Sequence, residues 1–120
     1  MNSIEYERFV QRAVQALVDA DLGPDSDVQV RHDISYPGRS GCVHQIDVYW
    51  EVTLGQRTFG VAVECKNLTD TVEIGRVRDF YGVLADTGLN GVMVTTKGYQ
   101  RGARMFADYY KIDIFVMREE

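Results

Sequence analysis

The stretch HQIDVYWEVTLGQRTFGVAVECKN, residues 44 to 67, alternates apolar and polar residues with period two on both sides of a central Gly-Gln. That period belongs to a two-stranded hairpin and not to a helix. A two-residue turn at Gly55-Gln56, glycine first as a type II′ turn prefers, makes the numbers of directly opposed residues sum to 111. One face then carries Ile46, Val48, Trp50, Val52 and Leu54 against Phe59, Val61, Val63 and Cys65, and is expected to be core. The other carries Gln45, Asp47, Tyr49, Glu51 and Thr53 against Thr58, Gly60, Ala62, Glu64 and Lys66, and is polar or small throughout.

The remaining elements follow from shorter signals. Residues 3 to 19 read as an amphipathic helix capped by Asn2 or Ser3, with Ile4, Val10, Val14, Leu17 and Val18 as its apolar stripe and Gly23-Pro24 as its stop. Residues 27 to 36 suit a strand. A second helix is expected from Asp70 or Thr71 to about Ala85, a short buried strand at GVMVTT, a helix over 99 to 110 and a final strand at DIFVM. The order αβββαβαβ predicts an α/β fold with a mixed central sheet flanked by helices. At 120 residues the chain is long enough for one domain with its own core and short for two.

The register places Asp47 directly across from Glu64. Like charges in that position, with Cβ atoms roughly 5 Å apart, destabilise a sheet. A divalent cation held by both carboxylates is one resolution, and Lys66, one strand repeat beyond Glu64, would then lie beside it. A solvated face with scattered charges is the other, since an acid-any-base triplet such as ECK arises by chance about twice in a chain of this size. On a helical wheel Glu7 falls within the apolar arc of the first helix, where a carboxylate needs a partner, a proton or a cation, unless it snorkels from the helix edge.

An acid on the first helix, Asp at the start of a hairpin strand, Glu-x-Lys on its partner, then a helix and a strand: this order resembles the PD-(D/E)XK nuclease superfamily, in particular its Mrr-like restriction-endonuclease branch. The resemblance runs from YERFVQRAVQAL through HQIDVYWEV and VAVECKN to GVMVTTKGYQRGARMFADYYKIDIFV. It implies that Asp47 and Glu64 bind metal with the Cys65 carbonyl as a further ligand, that Lys66 is catalytic, and that Glu7 completes the site. Many Mrr-like proteins carry Gln where this chain has Glu64, so the departure is toward the general superfamily pattern. The implied activity is Mg²⁺-dependent hydrolysis of DNA phosphodiester bonds in restriction, phage defence or repair, with Mn²⁺ as a substitute cation and a homodimer as the working unit. Larger members add a DNA-reading domain, which 120 residues do not supply, so a further domain or protein partner is expected to choose the target.

A formal charge of −5 argues against a protein that coats nucleic acid non-specifically, though not against an enzyme that grips a few phosphates. The stretch TTKGYQRGAR gathers Lys97, Arg101 and Arg104 without an acid where a strand passes into a helix, and Arg39 lies in the glycine-rich loop before the hairpin. These are the candidate DNA contacts, the alternative being that they balance a solvated turn. Cys42 and Cys65 lack metal-ligand spacing and are expected to be free thiols, and Cys65 should point into the core, which excludes it as a nucleophile. His32 and His44 have no partner at ligand spacing and are expected to be satisfied strand or surface histidines. No apolar run is long enough to span a bilayer and no signal-peptide core is present, so a cytoplasmic protein is expected. Two other readings remain open from the sequence: a Holliday-junction resolvase-like nuclease, and a non-catalytic binding module or scaffold of the same fold.

Overall fold

The computed structural model describes residues 1–119. Its elements are α1 (Ser3–Leu22), β1 (Arg31–Pro37), β2 (Val43–Leu54), β3 (Arg57–Lys66), α2 (Ile74–Thr87), β4 (Asn90–Thr95), α3 (Arg101–Tyr109) and β5 (Asp113–Val116). They build one five-stranded sheet in the order β1-β2-β3-β4-β5. β1, β2 and β3 are antiparallel neighbours, and β4 and β5 add in parallel through the α2 and α3 crossovers. This is the mixed α/β architecture that the element order predicts. Among the described residues, no helix is long and apolar enough to cross a membrane.

The hairpin register is the expected one: Val48 faces Val63 and Leu54 faces Arg57, so opposed numbers sum to 111. Gly55 takes φ +64° while Gln56 stays at negative φ, as a type II′ turn requires.

The expectation of one apolar and one polar hairpin face is overturned, because helices cover both sides of the sheet. α1 lays Tyr6, Val10, Val14 and Val18 over Val48, Val63, Cys65 and Val94. α2 and α3 lay Val77, Phe80, Leu84, Ala103 and Ala107 over Tyr49, Ala62 and Met93, so the small and aromatic positions of the supposed polar face are core. Ile46 also belongs to that second core, although strict alternation puts it beside Val48. The strands change face here: the β1–β2 register steps from His32↔Val48 to Ile34↔Ile46 with no pair between, and Asp33 adopts φ +57° at the step.

The α1 start is the expected one, and two other element boundaries move for identifiable reasons. α1 is closed at its start by a capping box in which the Asn2 side chain accepts from the Glu5 N–H and Glu5 accepts from the Asn2 N–H. Its buried stripe begins at Tyr6, 1% exposed, whose hydroxyl donates to the Met117 carbonyl, while Ile4 (64% exposed) and Leu17 (57%) face outward. β1 starts at Arg31 and not at residue 27, because Gln11 and Gln15 of α1 take the backbone groups of Val28 and Val30 that a strand partner would need. α2 starts at Ile74 and not at Asp70 or Thr71. The Val72 N–H donates to Gly98 and its carbonyl accepts from Gln100, which holds that segment extended.

Candidate functional site

β2 and β3 part company at Asp47. Their ladder begins at Val48↔Val63, and beyond it the Asp47 carboxylate takes the place of a backbone carbonyl, accepting from the Cys65 N–H at 2.9 Å. A charged acceptor makes this a stronger bond than the neutral one it replaces. The splayed strands, and the change of face one step earlier, turn Asp47 toward the C-terminal end of β3, where it meets the Glu64 carboxyl. Lys66 completes the group, its Nζ 3.5 Å from Glu64 Oε2 with both side chains about a quarter exposed. The backbone of Lys66 is fixed from the other side: its carbonyl accepts from the hydroxyl of the fully buried Thr95 at 2.9 Å and from the Thr96 N–H.

The electrostatics mark the pair as strained. Burial pushes the Glu64 carboxyl up to about 8, the Asp47 charge and a hydrogen bond to Asp47 push the same way, and Lys66 opposes them. In the absence of a cation Glu64 is therefore the group that holds a proton near neutral pH. The Cys65 thiol is raised by burial first and then by Asp47, Glu7 and Glu64, so it is a buried, inert thiol as alternation predicts.

Glu7 does face inward from α1, with its side chain 18% exposed, but its carboxylate is engaged: Oε1 lies 2.8 Å from His32 Nε2 on β1. Among the described residues, no three His, Cys, Asp or Glu side chains converge as a ready-made metal cluster. The structure therefore brings Asp47, Glu64 and Lys66 together and leaves Glu7 beside them, held by a histidine.

Lys97, Arg101 and Arg104 are all exposed, and among the described residues none takes part in an ion pair. Lys97 follows the threonines that fix Lys66 and lines a cavity of about 300 Å³ with Asn67, Thr96 and Arg118. Gln100 caps α3 without a side-chain hydrogen bond, which leaves first-turn N–H groups open. Arg39 is different: its guanidinium donates to the Ala85 carbonyl at 2.6 Å and so serves the last turn of α2.

Sequence reasoning missed three polar partnerships. His32 pairs with Glu7, and His44 pairs with Asp86 at 2.7 Å, so both histidines are satisfied, as expected, by partners that spacing alone does not reveal. Asp86 also binds the Ser40 hydroxyl and N–H, tying the glycine-rich loop to α2 and holding its own carboxyl down at about 2, with the His44 hydrogen bond the largest cause. Thr95 is the third; its signal was the polar pair that ends an otherwise apolar strand.

A five-stranded mixed sheet with helices on both sides, carrying two acids and a lysine where its antiparallel hairpin passes into its parallel half, defines a restriction-endonuclease-like fold. The chain belongs to the restriction endonuclease family Mrr_cat, whose model matches residues 2–119. No curated protein sequence matches it significantly. Among solved structures it is similar to AF1548, a protein of unknown function, with TM-score 0.68, 17% identity, and coverage of 92% of this chain and 58% of that one. It is similar to the MspJI restriction endonuclease in complex with a 27-mer oligonucleotide, with TM-score 0.64, 16% identity, and coverage of 96% and 25%. The DNA modification-dependent restriction endonuclease AspBHI gives TM-score 0.54, 22% identity, and coverage of 95% and 31%. At these identities the likeness is one of fold, and the chain spans between a quarter and about three fifths of the neighbours' lengths.

Proposed function

We propose that this chain hydrolyses DNA phosphodiester bonds as a divalent-metal-dependent endonuclease of restriction, phage-defence or repair type. The observation that carries the reading is the convergence of the half-buried Asp47 and Glu64 carboxyls beside Lys66, with Lys66 Nζ 3.5 Å from Glu64 and Asp47 fixed by the Cys65 N–H. Two half-buried carboxyls in contact cost stability, and arrangements of this kind cluster at functional sites.

The donor set fits Mg²⁺, with Mn²⁺ as substitute: two carboxylates and the Cys65 carbonyl are hard oxygen ligands, and Mg²⁺ is commonly held by one or two carboxylates with water and phosphate filling the rest. When bound, such an ion neutralises charge on the scissile phosphate and lowers the pKa of water. Asp47 is held in place for this by the Cys65 N–H. Glu64 would hold such an ion in its ionised form, so binding would be linked to loss of its proton. Lys66, freed from Glu64, holds a phosphate oxygen or orients the attacking water, and Thr95 keeps its backbone from shifting. Glu7, oriented by His32, adds negative charge beside the site and not a direct ligand. Lys97, Arg101 and Arg104, with the open N-terminus of α3, contact flanking phosphates. Cleavage of both strands calls for a homodimer, and target choice for a further domain or partner. A cytoplasmic location suits both the substrate and the free thiols.

Nicking of supercoiled plasmid with Mg²⁺ and with EDTA tests the chemistry. Metal-dependent cleavage abolished by Asp47→Ala and by Lys66→Ala is expected, and cleavage that survives either substitution refutes the assignment. Preference for a four-way junction over linear duplex would convert the reading to a resolvase.

A further inference from the structure

The apolar hairpin face is only half covered. α1 closes the part nearest the site, but toward the hairpin tip the same face stays open. There Leu54 is 67% exposed and Phe59 43% exposed, and the two form a projecting apolar knob. Next to it, between the C-terminal half of α1 and the sheet, lies an apolar groove of about 420 Å³ whose walls include Leu17, Leu22, Trp50 and Phe115. Knob and groove adjoin, since Val52, the partner of Phe59 in the ladder, lines the groove, and exposed apolar surface bordered by charge marks interaction sites.

The charges around this surface are arranged in two unmatched sets. Arg57 sits at the knob with its guanidinium 5.6 Å from the centre of the Phe59 ring. Asp21 and Asp113 line the groove. Among the described residues none of the three belongs to an ion pair. A knob with a free cation and a hole with two free carboxylates, both on one face of one chain, form a self-complementary pattern.

We propose that this face is the contact between two copies of the chain, related by a two-fold axis. The Leu54–Phe59 knob of each copy enters the groove of the other, and Arg57 meets Asp21 and Asp113 across the seam. An isologous contact requires that the matching features reside on the same surface, which is what this face provides and what a foreign partner would not need. The assignment locates the self-association proposed above and does not depend on the chemistry of Asp47 and Glu64. Leu54 is seven residues along β2 from Asp47, about 23 Å at the rise of an extended strand. The knob therefore lies far from the site.

Sedimentation equilibrium of the full chain over micromolar concentrations tests it, with circular dichroism as the check on folding. The wild type is expected to be a dimer. Leu54→Glu with Phe59→Glu, both at exposed positions, should weaken association at least about 100-fold, as loss of a central anchor does. Arg57→Glu should weaken it as well, and adding Asp21→Arg and Asp113→Arg should restore it. A folded dimer indifferent to these substitutions overturns the surface while leaving self-association intact. A monomeric wild type overturns both. Plasmid nicking by the Leu54→Glu, Phe59→Glu variant reports separately on the chemistry, which should persist for single-strand cuts.

Discussion

Replacing Glu64 by Gln should make the metal-free protein more stable at pH 8, although the substitution removes a group central to the proposed activity. The folded protein raises the Glu64 carboxyl from an ordinary 4.5 to about 8. An acid raised on folding favours the folded state fully below its unfolded pKa, and that contribution is lost as pH rises to the folded value. Metal-free wild type should therefore lose stability between about pH 4.5 and 8, where deprotonation places a second negative charge against Asp47. At about 1.4 kcal/mol per pKa unit, the interval sets a ceiling near 5 kcal/mol. The Glu64 side chain keeps about a quarter of its surface in contact with water, which screens the interaction, so about 2 kcal/mol is expected. For a domain of this size that corresponds to roughly 8 °C in Tm. Thermal melts in EDTA from pH 5 to 8.5 measure it, and the difference between Glu64→Gln and wild type isolates this group from all others. Mn²⁺ at pH 8 should recover the loss in wild type only, by binding the folded state. Wild type and Glu64→Gln curves that run parallel, or a Glu64→Gln protein that melts below wild type at pH 8, would refute the account of the carboxyl pair.

Alanine at Lys97, Arg101 and Arg104 together should weaken DNA binding without regard to sequence, and removing each phosphate-binding cation should reduce the slope of log K against log salt by about one; fluorescence anisotropy in Ca²⁺ reads this, and an unchanged slope removes these residues from the interface. Gly60→Ala should destabilise the fold by about 1–3 kcal/mol in urea melts, because a Cβ there would lie 2.6 Å from Leu89 Cδ2 and 2.7 Å from the Tyr49 hydroxyl oxygen. Asp86→Asn should loosen the loop between β1 and β2. The wild-type carboxyl is held low by His44 and Ser40. Its contribution is present above the ordinary value of 3.8 and lost as pH falls toward 2, so acid titration by near-ultraviolet dichroism should show a low-pH step that the variant lacks.

Local chemistry made much of this protein legible. Glycine at the first position of a two-residue turn fixes a register, and that register alone predicts that Asp47 meets Glu64 with Lys66 alongside. Period and punctuation gave the order of the elements, and the inward direction of Glu7 followed from the wheel. The partner of Glu7 did not, because His32 is 25 residues away and touches it only after α1 settles on β1. The exposure of Ile4 in place of Tyr6 is of the same kind: both fit an amphipathic stripe, and the choice fell to the side chain that could reach the Met117 carbonyl at the far end of the chain.

What the sequence determined by itself, then, is whatever depends on neighbours within a turn or a strand pair: the elements, the hairpin register, and the placing of Glu64 and Lys66 on one side of β3. Only the tertiary structure decided that both faces of the sheet are covered, that β1 and β2 exchange faces at Asp33 and Asp47, and that a knob and a groove remain open at the hairpin tip. Alternation records which residues share a side of a strand. It carries no information about which helix arrives to bury that side, or how far along the strand that helix reaches.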